Sequence, residues 1–175
     1  MNKYKTSQLG TTESIITITN VVIYKKIDFN SFIKNYKISN FFKGKYFIKR
    51  LIKKIFKYKL KNDFKWDKNF WHNIKILHMK SDLDFSSQFN SKSEAIDFIA
   101  STFKKNRLND IYCYKQYLLD NIELDKPLYI SSKALEKVGY NTGDDSIFML
   151  DGSRRIIANL LADNSKIDFF LIDSI

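Results

Sequence analysis

The chain has 175 residues, of which 44% are hydrophobic and 15% aromatic, and its formal net charge is +11. This length holds one domain with a core of its own, and the hydrophobic content excludes a globally disordered chain. The single cysteine, Cys113, excludes a disulfide framework and indicates a reducing compartment, so we expect a cytoplasmic protein. No stretch approaches the ~18 uncharged apolar residues of a membrane span, and no signal peptide is expected.

The positive charge is concentrated in the first third of the chain. Residues 1–65 hold 16 Lys/Arg against three acidic residues, whereas residues 66–175 hold 14 against 16. This asymmetry predicts a basic N-terminal part over residues 1–65, with a strand and amphipathic helices, and an α/β domain with leading helices over residues 66–175. A basic part of this kind favours a polyanionic partner.

The first predicted elements are a strand and two amphipathic helices. Residues 14–24 are β-branched and alternate loosely, which is typical of a strand. Asp28 precedes a helical stripe that ends at Tyr36. Residues 41–61 then combine an apolar stripe with nine basic residues. We expect a surface helix packed on the domain; the alternatives are attachment to an anionic membrane surface, as a peripheral protein, or to nucleic acid through residues 43–61.

The next stretch holds both histidines. The apolar residues of 70–77 have helical spacing and predict a helix. His72 and His78 lie six positions apart, which does not bring both onto one helical face, so no metal site is expected. His78 can serve as a general base beside Asp82 and Asp84, although a packed or surface histidine is the commoner case. The two aspartates also resemble a Mg²⁺-nucleotide pair, a pattern that is common by chance.

Residues 91–139 predict two helices, a strand and a further helix. A capping box that opens at Ser91 indicates a helix up to Phe103, and residues 107–119 continue as a second helix. Residues 127–130 predict a short strand, and the helix directly after it is expected to end at Gly139.

The most informative motif is Asp151-Gly152-Ser153-Arg154-Arg155, which lies between an apolar strand pattern and a helical pattern. Two of the four arginines of this lysine-rich chain are adjacent here. Gly152 allows a sharp turn, Asp151 or Ser153 can cap the helix, and the first helical turn attracts anions. We expect one arginine to bind phosphate and the other to pair with Asp151 or a second anionic group. The alternative is an ordinary capped turn with solvated arginines.

Residues 127–172 resemble the ParB/sulfiredoxin-like fold through this turn, the helix with Ala158-Asn159-Leu160-Leu161 and the strand from Ile167 to Ile172. The resemblance implies an α/β (α+β) fold, with a small mixed sheet, a C-terminal βαβ unit and preceding helices. In that family the turn cradles nucleotide phosphates. It therefore implies that Gly152, Ser153, Arg154 and Arg155 bind a nucleotide, such as ATP with Mg²⁺, but it does not imply a particular reaction. For a kinase, Asp151 is the candidate catalytic base or Mg²⁺ ligand.

Three functions are weighed for this chain. The family includes a chromosome-partition CTP-binding protein, sulfiredoxin, free-serine kinases and ParB-like nucleases. Ser153 stands where sulfiredoxin has its catalytic cysteine, so sulfinic-acid reduction is not expected. The first hypothesis is a nucleotide-dependent small-molecule kinase, for which further carboxylates are candidates: Asp120, Glu123, Asp144 and Asp145. The alternatives are a non-catalytic nucleotide-gated or docking module, attached to a membrane surface or nucleic acid through the basic N-terminal part, and, third, a ParB-like nuclease.

Overall fold

The computed structural model describes residues 5–6, 14–28, 32, 73–137 and 146–175. Within this part of the chain the strands are β1 (Lys5–Thr6), β2 (Ile16–Ile27), β3 (Ile74–Phe85), β4 (Leu128–Ser131), β5 (Ser146–Asp151) and β6 (Lys166–Ser174). The helices are α1 (Lys92–Thr102), α2 (Lys105–Leu119), α3 (Ser132–Glu136) and α4 (Ser153–Leu161). The fold is therefore mixed α and β.

All of these strands belong to one mixed sheet with the order β1-β5-β4-β6-β3-β2. The pairs β1/β5 and β4/β6 are parallel, and the pairs β5/β4, β6/β3 and β3/β2 are antiparallel. Strands β1 and β2 stand at opposite ends of this order, yet they also contact each other. The sheet is therefore strongly curved, as expected when a twisted sheet begins to close on itself.

Helices α1, α2 and α4 cover one face of the sheet. Their buried side chains, including Ile99, Ile111 and Ile156, form one core cluster with strand residues such as Met79 and Phe169. Each of these five side chains is at most 1% exposed. Burial of this much apolar surface is the main term that holds the helices on the sheet.

The opposite face of the sheet is also buried at its centre. Ile76, Ile130 and Ile172 each have at most 2% of their surface exposed there. The ring of Phe32 packs edge-on against Phe170, with 5.3 Å between the ring centroids. The central strands thus carry apolar residues on both faces, as expected of strands covered on two sides.

Most elements predicted from the sequence are confirmed in the described residues. The strand expected over 14–24 is β2, and the helix expected after Ser91 is α1. Ser91 caps it by accepting a hydrogen bond from the Glu94 amide at 3.2 Å, while the Glu94 carboxylate accepts from the amide of Asn90 at 2.7 Å. The helix predicted up to Tyr36, apart from Phe32, and the end of the helix at Gly139 lie outside the described residues.

The helix predicted over 70–77 is wrong, because the chain from Ile74 onward is strand β3. Ile74 and Ile76 are buried on one face, and Leu77 and Met79 are buried on the other. A strand that is buried on both faces lacks the alternation of apolar and polar residues. Over a short run, such a pattern is not distinguishable from a helical one.

The predicted C-terminal βαβ unit with parallel strands is also wrong. Helix α4 does connect β5 to β6, but β4 lies between these strands, antiparallel to β5 and parallel to β6. Strands β5 and β6 therefore run in opposite directions. Helix α4 has nine residues and spans only ~14 Å. After α4, strand β6 therefore starts at the same end of the sheet at which β5 finishes. The parallel neighbour of β6 is β4.

The division of charge at residue 65 does not coincide with a division of the sheet. Strand β2 belongs to the predicted basic N-terminal part, yet it pairs along its length with β3 of the second part. The pairing runs from Ile16 opposite Phe85 to Ile27 opposite Ile76, with two irregularities in register.

Candidate functional site

The turn from β5 to α4 is held by Gly152, the N-cap residue of the helix, with φ 107° and ψ 8°. This left-handed conformation strongly favours glycine. A Cβ atom at this position would also lie 2.7 Å from Cβ of Pro127, which precedes β4. The sequence predicted Asp151 or Ser153 as the residue that caps α4, whereas the N-cap position is occupied by Gly152. Gly152 thus serves the turn and its close packing.

Arg155 is fixed by two acceptors. Its Nη2 donates to Oδ2 of Asp151 at 2.6 Å, and its Nη1 donates to the backbone carbonyl of Asp125 at 2.7 Å. The side chains of Arg155 and Asp151 are only 12% and 23% exposed. The prediction that one of the two adjacent arginines pairs with Asp151 is therefore confirmed. This arginine ties the end of β5 and the loop before β4 to the first turn of α4.

Arg154 points away from that pair and toward α2. Its Nη1 forms an ion pair with the carboxylate of Asp110. Both side chains are more than two-fifths exposed, so water and dissolved ions reach this pair. An exposed ion pair of this kind is worth ~0–1 kcal/mol, and an incoming anion can exchange with it.

A third arginine, Arg107 of α2, approaches the same turn. Its Nη2 donates to Oγ of Ser153, the first residue of α4, at 3.3 Å. Its guanidinium lies over the ring of Phe103, 4.8 Å from the centroid. A cation–π contact of this kind restrains the plane of a guanidinium without using its N–H donors.

Arg107 and Asp110 were not among the predicted site residues. The scarcity of arginine in this chain was a usable signal for Arg107, since every arginine in the described residues lies at this turn. No sequence signal pointed to Asp110, because its place depends on how α2 packs against α4.

The other carboxylates predicted to join the site have partners of their own where the structure describes them. Asp120 accepts a hydrogen bond from Gln116 at 2.9 Å, and Glu123 pairs with Lys126 at 2.7 Å. Asp144 and Asp145 lie outside the described residues. Asp125 joins the turn, but through its backbone carbonyl.

His78 lies in β3 and pairs with Asp168 of β6, with 2.9 Å between Nε2 and Oδ2. The prediction that placed His78 beside Asp82 and Asp84 missed this partner, which the antiparallel pairing of β3 and β6 brings close. Asp82 accepts from Asn20 at 2.7 Å, and Asp84 accepts from the amide of Phe85 at 2.7 Å. The histidine ring also packs against Tyr24 and Phe170. These contacts indicate a packed histidine that joins three strands.

A second polar cluster occupies the carboxyl ends of the parallel strands β4 and β6. The hydroxyl of Ser131 donates to Oδ1 of Asp173 at 2.6 Å and accepts from the amide of Ala134 at 3.1 Å. Lys75 adds an ion pair to Asp173 at 3.5 Å. Ser131 and Asp173 are buried, so this cluster is a closed network that also caps α3.

The single cysteine lies on the exposed surface of α2. Its hydrogen bond with Tyr117, one helical turn later, raises the pKa of that tyrosine. In the described residues, no group of three or more His, Cys, Asp or Glu side chains is placed to hold a metal ion. The basic segment 43–61 lies outside the described residues, so its attachment to a membrane surface or nucleic acid stays a prediction.

No described helix is long and apolar enough to cross a bilayer. The resemblance to the ParB/sulfiredoxin-like fold stays a prediction, as does the nucleotide site that it implies. Comparison of the chain with protein-family models, with curated proteins and with solved structures gives no match.

Proposed function

We propose that the protein binds a phosphate-bearing ligand, and in the first instance a nucleotide, at the N-terminus of α4. The observation that carries this proposal is the convergence of Arg107 and Arg154 on the first turn of a helix whose N-cap residue is a glycine. The binding residues are Gly152, Ser153 and Arg154, as expected from the sequence, together with Arg107.

The first turn of α4 supplies the chemistry that a phosphate needs. The first amides of a helix have no partner within the helix, and the helix dipole adds partial positive charge at the same end. Gly152 brings no side chain that would occupy these amides. A phosphate oxygen at this position accepts from the amides and from the hydroxyl of Ser153, while an arginine fork binds its other oxygens.

The two adjacent arginines have different roles in this proposal. Arg155 holds the turn through Asp151 and the Asp125 carbonyl, and it stays there when ligand binds. Arg154 exchanges its exposed partner Asp110 for the ligand, so the carboxylate of Asp110 competes with phosphate for the same fork. Arg107 joins it by exchanging its 3.3 Å hydrogen bond with Ser153 for the ligand.

Binding is the part of the predicted function that these contacts support. A kinase would need a general base for the acceptor hydroxyl, and Asp151 was the predicted candidate. The Oδ2 atom of Asp151 accepts from Arg155 at 2.6 Å, so this oxygen does not take a proton while the ion pair stands. Phosphotransfer to a small molecule is therefore a second step to test after binding.

The test is isothermal titration calorimetry of the full chain with Mg²⁺·ATP and Mg²⁺·CTP. We expect binding that weakens about tenfold in Arg154→Gln and in Arg107→Gln, because each variant removes a charge-assisted contact. Asp110→Asn should act in the opposite direction and tighten binding, because it removes the carboxylate that competes for Arg154. Unfolding curves of each variant show whether the fold is kept.

Lys104→Gln is the matched control, since it removes one exposed positive charge near the start of α2 without touching the turn. It should leave the affinity within about twofold of the wild type at physiological salt. Equal weakening by all three charge-removing variants would mean that general positive charge attracts the nucleotide, and the site at α4 would be rejected. A lack of binding by any folded form would also reject it.

A further inference from the structure

Residues 22–26 of β2, together with Lys80 of β3, form a surface that we call the β2 patch. The side chains of Val22, Ile23 and Tyr24 are consecutive and are 56%, 49% and 61% exposed. The two lysines that follow them are exposed as well. Three adjacent exposed apolar residues are unusual on an edge strand, because proteins generally protect such edges with charge or cover.

The apolar side chains of the β2 patch lie on both faces of the strand. Val22 pairs with Lys80, and Tyr24 packs edge-on against His78 with ring centroids 5.0 Å apart, so both belong to the face of those two residues. Ile23 pairs with Met79 and belongs to the opposite face. This end of β2 is therefore an apolar edge that is exposed on its two sides.

The charges of the β2 patch have one sign. Lys25, Lys26 and Lys80 form no ion pair with any carboxylate in the described residues. Lys80 lies over the ring of Tyr24, with Nζ 4.2 Å from its centroid. Asp168 stands opposite Lys80 in the strand register, but its carboxylate pairs with His78, and the carboxylate of Asp82 accepts from Asn20. The patch therefore presents a net positive charge around its apolar centre.

The combination of exposed apolar side chains with lysines fits some anionic partners better than others. A peptide strand added to the edge would pair with the backbone but would leave the side chains on both faces exposed. A nucleic acid would meet the lysines and stack on Tyr24, but its phosphates offer nothing to Val22 and Ile23. An anionic lipid interface receives aliphatic side chains on both sides of an edge, places tyrosine at the headgroup level and attracts the lysines.

We propose that the β2 patch docks the protein on an anionic lipid surface, with Val22, Ile23 and Tyr24 entering the headgroup region and the three lysines contacting lipid phosphates. This proposal is independent of the phosphate site at α4. The chain that leaves β2 leads into the basic segment of residues 43–61, so the sequence continues with further charge of the same sign.

The test is sedimentation of the full chain with vesicles of phosphatidylcholine alone and with vesicles that contain about 30% phosphatidylserine. Val22→Thr/Ile23→Thr keeps β-branched side chains and removes apolar surface; it should weaken binding to the anionic vesicles about tenfold. Lys25→Gln/Lys26→Gln should weaken it roughly 25-fold at low salt, at about fivefold per lysine.

Two control variants have the same chemistry elsewhere on the surface. Leu119→Thr/Ile122→Thr removes two exposed aliphatic side chains at the end of α2, and Lys104→Gln/Lys105→Gln removes two adjacent exposed lysines. Neither should change vesicle binding by more than about twofold, apart from the general effect of net charge. Circular dichroism confirms that each variant is folded.

Each result decides the proposal. Loss of binding in both β2-patch variants, with the controls unchanged, supports it. If the wild type does not bind anionic vesicles, or if the Val22→Thr/Ile23→Thr variant binds as the wild type does, the proposal is rejected. Weakened binding of a single-stranded oligonucleotide by the same variant, with vesicle binding unchanged, would instead assign the β2 patch to nucleic acid.

Discussion

Arg155 donates to Asp151 at 2.6 Å, and this ion pair joins the last residue of β5 to the first turn of α4. Gly152 lies between the two residues in the chain. The neighbouring Arg154 makes its ion pair with Asp110, on another helix and in a more exposed position. Adjacent residues on a helix point ~100° apart, so the side chains of the two arginines lie in different environments. The structure assigns the first to the architecture of the turn and leaves the second open to solvent.

This difference predicts unequal losses of stability. Arg155→Gln should lower the free energy of unfolding by about 2–3 kcal/mol, because it leaves the largely buried Asp151 carboxylate without its guanidinium. Arg154→Gln should lower it by less than about 1 kcal/mol, since it breaks an exposed pair. Urea denaturation of both variants measures the two values. Equal losses would contradict the division of roles between the two arginines.

Substitution of Gly152 should cause a larger loss of stability. Gly152→Ala places a side chain in the left-handed region and against Pro127, so it should destabilise the fold by about 3 kcal/mol. Asn121→Gly is the control, because Asn121 also has a positive φ, of 59°, but is exposed. It should be neutral or slightly stabilising. If Gly152→Ala unfolds at the same urea concentration as the wild type, the described turn is not the native one.

Local structure could be read from the sequence where a pattern was reinforced by a cap or a turn. Ser91 marked the start of α1, and Gly152 marked the boundary between β5 and α4. These signals depend on residues close together in the chain, so they need no knowledge of the fold. The ion pair of Arg155 could be predicted for the same reason, since its partner lies four residues away in the chain.

Features that depend on the arrangement of the sheet could not be predicted from the sequence. The insertion of β4 between β5 and β6 is set by long-range pairing, and it reversed the expected direction of β6. The same pairing brings Asp168 to His78, 90 residues away in the chain. Burial on both faces of β3 removed the alternation that marks a strand. The contact of Arg107 with Ser153 likewise required the packing of α2 on α4.

The buried hydrogen-bond network at the end of β4 should also contribute to stability. Ser131→Ala removes both the donor to Asp173 and the cap of α3, so it should destabilise the protein by about 2–3 kcal/mol. Ser91→Ala removes only the exposed cap of α1 and should cost about 1 kcal/mol. Thermal unfolding of the two variants compares them directly. A smaller effect at Ser131 than at Ser91 would show that Asp173 does not depend on this hydroxyl.

The ion pair between Lys92 and Asp163 predicts a pH dependence. The Lys92 ammonium donates to the Asp163 carboxylate and lowers the pKa of that group below 3.8. Because the pKa is lower in the folded chain, the contribution of Asp163 to stability is present above about pH 3.8 and is lost as the pH falls through the folded value. The pair is exposed, so this contribution is small.

Replacing the lysine should return the carboxyl to its ordinary titration. In Lys92→Met, the pKa of Asp163 should rise toward 3.8, since the hydrogen bond and the main favourable charge are both gone. A carboxyl-detected NMR titration follows Asp163 directly. Lys105→Met, which alters an exposed lysine on a different helix, should leave the titration of Asp163 unchanged. An unchanged Asp163 pKa in Lys92→Met would mean that the pair does not form in solution, and the link that it makes between the start of α1 and the turn after α4 would be lost with it.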